Sequence, residues 1–441
     1  MSKANLNPSI EGLLRHWLPG KRWFPVQSPD FALEQVGAVS LPGTHGDTAF
    51  EVVLLAVTHR TADGGPRTDV VQVPLSYRSQ PLVDAPAALL GEFTDDSGLR
   101  LVYDAVYDSD FVTAWLELMR SEGSVGGARG HLTRGRVALP ENPTSVRVLS
   151  GEQSNTSVII DDGDSAAIVK IFRVLAAGKN PEVELGAALT AAGTAEVPAT
   201  LGWITGSWEG PASNGSAPAT GELTVAHEFL LGGLDAWRLA VEAAAAGKDF
   251  TAEARGLGAA TATVHARLAE TFGTQDGQEQ GPNIIAAVAR RVRQSWAEAA
   301  SAVGPYDGNL DQLLAALDPR DVGQLQRVHG DLHLGQILLV PADESVSGDD
   351  RRPGRWAILD FEGEPLRTID ERNSPDLPLR DVTGMLRSFD YAAGAATREN
   401  SHANVPETWV DDCAAAFLEG YSDVTPGTID RRSPLFVALW L

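Results

Sequence analysis

The stretch RVHGDLHLGQILL, residues 327–339, constrains this 441-residue chain more than any other. It places Asp331 two residues after one histidine and two residues before another. It also places an amide, Gln336, five residues after the acid, just before an apolar run. Two interpretations are open. The stretch is either a chemically active loop or a structural turn built on a buried His–Asp hydrogen bond.

The spacing of acid and amide favours the active loop. In a kinase catalytic loop an aspartate accepts the proton of the attacking hydroxyl, and an amide five residues later binds magnesium. Asp331 and Gln336 have this spacing. The amide is usually asparagine, and because glutamine is one methylene longer, the loop must be set slightly differently. We therefore predict Asp331 as a catalytic base and Gln336 as a metal ligand.

A second acidic motif follows in RWAILDFEGEP, where a strand-like apolar run ends at Asp360. An acid at a strand end followed by Phe matches the metal-binding aspartate of kinases. The polar segment before it, SVSGDDRRPGR, is typical of a hairpin loop. We predict Asp360 as a second metal ligand, assisted by Glu362.

Lys170 is a candidate contact for nucleotide phosphates, because it lies in an alternating strand-like run, AAIVKIF. Glu184 of the following helix, PEVEL, is expected to hold its ammonium, and Glu182 competes for that role. A solvated lysine on an edge strand is the alternative. In the turn before the strands, Ser154, Asn155 and Thr156 could cap phosphates as a flap.

Composition excludes several classes of partner and site. The chain has 35 Lys and Arg against 59 Asp and Glu, a formal net charge of -24, which repels nucleic acid and anionic lipid. Its one cysteine, Cys413, rules out an intramolecular disulfide and a cysteine-cluster metal site. The N-terminal segment has no secretory pattern, and no transmembrane run is present. We expect a cytoplasmic monomer without nucleic-acid or membrane partners.

The order of patterns predicts an α+β, bilobal, kinase-like fold. Residues 1–90 are expected to form a β-rich cap, 91–225 a mixed N-lobe, and 226–441 a mostly helical C-lobe. Alternating runs such as AFEVVLLAV and DVVQVPLSY predict the cap strands, and FVTAWLELMR predicts a helix.

Three segments resemble one family. HGDLHLGQILL, DFEGEP and PLRDVTGMLRSFDYAA are similar to the actinobacterial maltokinases and their relatives, within the aminoglycoside-phosphotransferase-like, protein-kinase-like superfamily; LPGKRWF resembles their N-terminal cap. The resemblance implies ATP- and Mg²⁺-dependent phosphorylation of a sugar hydroxyl. It implies that the hinge backbone facing adenine is AHEFLL, with Ala226, His227, Glu228, Phe229 and Leu230. His333 is expected to brace the loop, or alternatively to touch the acceptor.

The family includes maltose and glucosamine kinases, and we favour glucosamine, with maltose as the alternative. On the helix ETWVDDCAAAFLEGYSD, Trp409 could stack on a sugar ring while an acid binds an ammonium; the candidate acids are Asp411, Asp412 and Glu419. A solvated acidic face is the plainer interpretation. An aminoglycoside phosphotransferase and a nucleotide-binding pseudokinase are lesser alternatives.

Overall fold

The computed structural model describes residues 6–26, 30–43, 48–61, 64–96, 98–135, 137–141, 143–149, 155–163, 165–210, 218–303, 308–342, 354–365, 367–399, 404–427 and 429–441. It divides into two compact units. The first contains residues 1–187 and 199–229, and the second contains residues 188–198 and 230–441. Predicted sites at Ser154 and in the 343–353 part of the hairpin loop lie outside the described residues.

The N-terminal part of the first unit is a six-stranded sheet. Five strands lie in the order β1-β2-β3-β5-β4, and a short strand from later in the chain, β11 (Val174–Leu175), pairs with β3. The long runs AFEVVLLAV and DVVQVPLSY form two adjacent strands of this sheet, as predicted, because their apolar residues are buried in the core. The predicted division at residue 90 falls inside β4. The elements are α1 (Pro8–Trp17), β1 (Phe31–Pro42), β2 (Ala49–Arg60), β3 (Pro66–Arg78), β4 (Leu89–Asp95), β5 (Gly98–Asp104) and α2 (Ser109–Arg120).

A seven-stranded sheet completes the first unit, in the order β6-β7-β12-β13-β10-β9-β8. Its central strands β10 and β13 are antiparallel, with Lys170 opposite Val225. The residues on its buried face form one apolar cluster with the inner face of the first sheet. The elements are β6 (Ser124–Val125), β7 (Ala128–Leu132), β8 (Ser145–Val148), β9 (Asn155–Asp161), β10 (Ala166–Phe172), β11 (Val174–Leu175), α3 (Pro181–Ala191), β12 (Thr200–Trp208) and β13 (Ala219–Glu228).

The second unit is mostly helical, with a small three-stranded sheet in the order β14-β17-β18. Its hairpin pairs Ile337 with Ile358, so the chain before β17 and the chain after β18 emerge side by side. The elements are β14 (Leu234–Asp235), α4 (Ala236–Ala245), α5 (Thr251–Phe272), β15 (Gln275–Asp276), α6 (Gly281–Val303), α7 (Gly308–Ala315), β16 (Gln324–Leu325), β17 (Ile337–Val340), β18 (Arg355–Ile358), α8 (Ile369–Asn373), α9 (Leu379–Glu399), α10 (Trp409–Val424) and α11 (Pro434–Trp440).

These elements confirm the predicted α+β class, with a β-rich N-terminal part and a mostly helical C-terminal half. The division into three predicted parts stays a prediction. Among the described residues, no helix is long and apolar enough to cross a lipid bilayer.

Candidate active site

The loop that carries Asp331 is held in place by hydrogen bonds to one buried carboxylate. Asp381, on α9, accepts the backbone N–H of His329 at 2.8 Å and of Gly330 at 2.9 Å. Gly330 has φ +84°, in the left-handed region that glycine adopts without strain. The loop conformation is therefore fixed through its backbone, and the Asp331 side chain does not take part in holding it.

A buried chain of polar groups continues behind Asp381. His265 Nε2 lies 2.9 Å from the Asp381 carboxylate, and His265 Nδ1 lies 2.9 Å from the Tyr421 hydroxyl. Burial alone would raise the pKa of Asp381, but His265, His329 and the Gly330 amide outweigh it and lower the pKa. Asp381 is therefore an ionised anchor for the loop.

The two histidines of the motif brace the loop. His329 Nδ1 accepts the Asp331 amide at 3.3 Å, while its Nε2 donates to the Leu359 carbonyl at 2.7 Å. His333 Nδ1 accepts the Gly335 amide at 3.1 Å. Burial is the main cause that lowers the pKa of His333, which keeps the ring neutral at pH 7.

The predicted metal ligands Gln336, Asp360 and Glu362 lie together. The hairpin of β17 and β18 brings the Gln336 amide within 3.1 Å of the Asp360 carboxylate. Carboxylate oxygens of Asp360 and Glu362 lie within 4.8 Å of each other. Asp360 has φ +60°, a conformation that costs a non-glycine residue about 1–3 kcal/mol and is concentrated at functional sites. The two carboxylates are hard oxygen donors, which is the chemistry that Mg²⁺ prefers, whereas Gln336 turns its amide nitrogen toward Asp360.

Asp331 opens onto a cavity of about 800 Å³ in the second unit. Among the described residues, its carboxylate has no hydrogen-bond or ion-pair partner. Two helices form much of the cavity wall, α6 with Arg291 and α9 with Arg380 and Arg387. His333 also lines the cavity, together with Trp237, Trp296, Glu364 and Tyr391. A hydroxyl compound bound here would be within reach of the predicted base.

In the first unit, Lys170 lies in a buried ion-pair chain. Its Nζ is 2.9 Å from Glu182, whose other oxygen is 3.2 Å from His227 Nε2. Burial alone would raise the pKa of Glu182, but Lys170 and His227 outweigh it and hold the pKa well below its usual range. The expectation that Glu184 holds Lys170 is wrong, because the first turn of α3 directs Glu182 to the lysine, whereas Glu184 pairs with Lys179 at 3.1 Å. The solvated edge-strand alternative is also wrong, since β10 is central and the Lys170 side chain is 14% exposed.

The strand register decides which flap residues share a face with Lys170. Lys170 pairs with Ser157, so Asn155, two residues away on β9, lies on the same face. Thr156 lies on the opposite face, where its hydroxyl accepts from Arg173 Nε at 2.8 Å. The predicted phosphate-capping role of Thr156 is therefore wrong, and that of Asn155 stays a prediction.

The predicted hinge, residues 226–230, follows directly on the central strand β13. Ala226 is paired on both sides within the sheet, and the His227 ring is bound to Glu182. The amides of Glu228 and Phe229 donate to the carbonyls of Ala199 and Ala166. An adenine contact is thus left to other backbone groups of the segment, such as those of Leu230, and stays a prediction.

The residues on α10 that were predicted to bind the acceptor do not line the cavity beside Asp331. Trp409 is 3% exposed and packs against Phe250 and Phe389, and its indole N–H donates to the Lys248 carbonyl. It cannot stack on a sugar. Three acids lie on the exposed surface of α10 and do not line the cavity beside Asp331, so this cavity gives no support to their predicted acceptor role: Asp411, Asp412 and Glu419.

Sequence reasoning missed the anchor Asp381 and the arginines of the cavity. Asp381 lies in PLRDVTGM, part of a segment that carries the family resemblance but gives no role to this acid. An aspartate on the apolar face of an amphipathic helix is a pattern that could have indicated a buried acid. The arginines lack any comparable pattern, because arginines on a long helix are usually solvated.

Two family models match the chain. The maltokinase N-terminal cap domain matches residues 17–108, and the phosphotransferase enzyme family matches residues 145–403. A glucosamine kinase from Streptacidiphilus jiangxiensis is 30% identical over 304 residues, which are 63% of this chain and 62% of the relative. A glucosamine kinase from Mycolicibacterium smegmatis is 28% identical over 301 residues, 65% of this chain and 68% of the relative.

Solved structures show the same fold. A glucosamine kinase in complex with glucosamine, ADP and inorganic phosphate aligns with a TM-score of 0.61 at 23% identity, over 99% of this chain and 93% of the other. A second crystal form of a glucosamine kinase aligns with a TM-score of 0.60 at 24% identity, over 93% of this chain and 86% of the other. The predicted kinase-like fold is confirmed.

Proposed function

Since the chain belongs to the phosphotransferase enzyme family, we propose that it transfers the terminal phosphoryl group of ATP to a hydroxyl of a sugar. One observation carries the proposal. Asp331 has a backbone-anchored position and a carboxylate that opens, without a protein partner among the described residues, onto a cavity of about 800 Å³. A side chain so placed can accept a proton from a bound hydroxyl.

Phosphoryl transfer requires from the protein mainly that it position the reactants and neutralise the charge of the phosphates. In this mechanism Asp331 accepts the proton of the acceptor hydroxyl while the hydroxyl oxygen forms its bond to the terminal phosphorus of ATP and the bond from that phosphorus to the bridging oxygen of the leaving ADP breaks. His329 supports that role, because its ring accepts the Asp331 amide and so fixes the start of the loop. The remaining requirement is compensation of the phosphate charge.

Mg²⁺ would be held by Asp360 and Gln336, with Glu362 assisting. These residues fit the ion, because the carboxylates of Asp360 and Glu362 lie close together and the side-chain amide of Gln336 lies beside Asp360 at one end of the β17–β18 hairpin. When bound, the ion neutralises negative charge on the phosphates. The Gln336 side chain would have to turn its amide oxygen, instead of its nitrogen, toward the metal.

Lys170 is proposed to contact the nucleotide phosphates. Glu182 keeps its ammonium in one position and His227 keeps Glu182 in one position. An ordered cation costs little rotamer entropy when the anion arrives, which is the advantage of building the pair into the fold.

For the acceptor we propose glucosamine, phosphorylated at its 6-hydroxyl. The support comes from the two curated relatives and the aligned structures, all of them glucosamine kinases. Maltose is the second candidate, because the cap of this chain matches the maltokinase cap model.

The test is a panel of sugars incubated with ATP and MgCl₂, with product positions read by ³¹P and ¹³C NMR. Glucosamine, maltose, glucose and kanamycin are the informative members. We expect ADP formation to depend on glucosamine and the new phosphate ester to be at carbon 6. A higher kcat/KM for maltose would reverse the choice of acceptor, and no sugar-dependent ADP formation with any member would contradict the proposed activity.

A further inference from the structure

The backbone directly after Glu362 packs closely against two other segments of the second unit. Gly363 is buried and has φ +74°, in the left-handed region that glycine adopts without strain. A β-carbon added at Gly363 would lie 3.4 Å from the side-chain stem of Arg372 and 3.6 Å from the carbonyl oxygen of His329. The segment of the predicted metal ligands is therefore close both to the loop of Asp331 and to Arg372.

Arg372 also makes a direct hydrogen bond to this segment. Its Nη1 donates to the backbone carbonyl of Glu362 at 3.0 Å, while the carbons of its stem lie near Gly363. A hydrogen bond at this carbonyl restricts the peptide plane that joins Glu362 to Gly363. It therefore restricts the backbone from which the Glu362 side chain projects.

The helix that carries Arg372 is anchored at both ends by contacts that do not involve the metal ligands. Helix α8 begins with a capping box, in which the Thr368 hydroxyl accepts the Glu371 amide at 3.3 Å and the Glu371 carboxylate accepts the Thr368 amide at 2.8 Å. It ends at Asn373, whose side-chain oxygen accepts Arg327 Nη2 at 2.9 Å. Arg372 therefore projects from an element whose position is already set.

Fold stability does not account for the Arg372 guanidinium. Its Nε is buried and makes no hydrogen bond among the described residues, and none of their carboxylates lies within ion-pair distance of the guanidinium. A buried donor without a partner costs unfolding free energy, whereas a methionine would place a similar stem near Gly363 without that cost. Within the described part of the chain, the one hydrogen bond that the side chain makes is the bond to the Glu362 carbonyl.

We propose that Arg372 is a positioning residue for the divalent cation, because its bond to the Glu362 carbonyl directs the Glu362 carboxylate toward the ion that Asp360 binds. The inference rests on the metal site of the proposed function and adds a residue that does not itself bind the ion. Carboxylate oxygens of the two acids lie within 4.8 Å of each other, so small changes in the backbone at Glu362 decide whether both reach one ion. Groups that hold metal ligands in place contribute about 10- to 100-fold to metal affinity.

The test is a titration of the nucleotide-free protein with MnCl₂, in which free Mn²⁺ is measured by electron paramagnetic resonance. Mn²⁺ replaces Mg²⁺ because it takes the same oxygen ligands and is visible to this method. Arg372→Met keeps a similar stem but removes the donors, and we expect the Kd for Mn²⁺ to rise about tenfold or more. Its urea unfolding midpoint should equal or exceed that of the parent, since the unpartnered Nε is gone.

Three further variants separate the hydrogen bond from other effects. Arg372→Lys keeps the charge and a donor group, so its Kd should lie between those of the parent and Arg372→Met. Thr368→Val removes the capping hydroxyl of α8 without changing the charge, and as the matched control its Kd for Mn²⁺ should stay within about twofold of the parent. Asp360→Asn alters a proposed ligand itself and should raise the Kd by more than Arg372→Met does.

The outcomes separate this role from the proposed function. If Arg372→Met binds Mn²⁺ as tightly as the parent or more tightly, the positioning role is overturned, because removing a guanidinium that only repels the ion strengthens binding. An equal loss in Thr368→Val, or unfolding of Arg372→Met, also overturns it, since the arginine is then needed for α8 or for the fold. If Asp360→Asn binds Mn²⁺ as tightly as the parent, the metal site of the proposed function itself fails.

Discussion

Glu182 and Asp331 are both acids expected at a phosphotransfer site, yet the fold treats them in opposite ways. Glu182 is buried, and each of its oxygens has a cationic or imidazole partner, Lys170 or His227. Asp331 has no such partner among the described residues. Its loop is held instead by the hydrogen bonds that two loop amides, those of His329 and Gly330, donate to the Asp381 carboxylate.

The difference teaches how position can be separated from reactivity. An acid whose oxygens are all bound is a good orienting group but a poor proton acceptor, because its partners stabilise the charged form and lower its pKa. An acid positioned through its backbone keeps its oxygens available for substrate. The first unit thus contains a pre-formed ion pair, and the second contains the proposed base in a fixed position.

The largest expected effect is on the base. Asp331→Asn keeps the shape of the side chain but cannot accept the proton, so we expect kcat to fall about 10²- to 10⁴-fold. Steady-state ADP release with glucosamine measures it, and isothermal titration should show ATP binding within about twofold of the parent protein. Full activity in this variant would mean that Asp331 is not the base.

Asp381 tests the backbone anchor. Asp381→Asn leaves His265 and two loop amides without their ionised acceptor, and breaking a buried charged contact of this type costs about 3–5 kcal/mol of unfolding free energy. Urea unfolding followed by circular dichroism measures it. Asp412→Asn, on the exposed face of α10, is the control and should change stability by less than about 0.5 kcal/mol.

The loss of unfolding free energy in Asp381→Asn is expected to depend on pH. Because the folded state lowers the pKa of Asp381, its ionisation stabilises the protein above the unfolded-state pKa of about 3.9, and this contribution is lost as the pH falls through the lower folded-state value. The stability gap between parent and Asp381→Asn should therefore shrink in acid. A gap that is constant down to the acid transition would contradict the ionised anchor.

The ion pair of the first unit gives an intermediate effect. Glu182→Gln removes the charge that holds Lys170, and we expect kcat/KM for ATP to fall about 10- to 100-fold, as for the loss of a charged hydrogen bond. Glu184→Gln is matched, since it lies two residues further on the same helix and pairs with the exposed Lys179. Equal losses in both variants would show that the pairing with Glu182 is not what orients Lys170.

Sequence predicted the metal-ligand group better than its surroundings, for a topological reason. Gln336 and Asp360 meet because a hairpin with a polar loop must bring its two ends together, and the register of Ile337 with Ile358 does this. The β-rich start of the chain and the helix around Phe111 also follow from local apolar periodicity.

The sequence could not predict which face of a helix is directed toward the site, because this depends on how elements far apart in the chain pack against each other. Glu182 and Glu184 lie on the same first turn of α3, and only the rotation of that helix against β10 decides which reaches Lys170. The cavity beside Asp331 lies between α6 and α9, about ninety residues apart in sequence, and its arginines cannot be told from solvated ones until both helices are in place. The same reason applies to Trp409. Apolar periodicity shows which residues share one face of a helix, but it does not show which other part of the protein packs on that face.

Tyr421 gives the smallest expected effect and defines how far the anchor of the catalytic loop extends. Its hydroxyl lies 2.9 Å from His265 Nδ1, and the other ring nitrogen, Nε2, lies 2.9 Å from the Asp381 carboxylate. Tyr421→Phe removes one neutral hydrogen bond from a buried site, so we expect a loss of about 1 kcal/mol in unfolding free energy, measured by urea titration. Because Asp381 keeps both loop amides, kcat should stay within about twofold of the parent. A fall in kcat of tenfold or more, with stability unchanged, would place Tyr421 among the groups that set the position of Asp331, and the contrast between a base held by its backbone and an acid held by its side-chain partners would no longer hold.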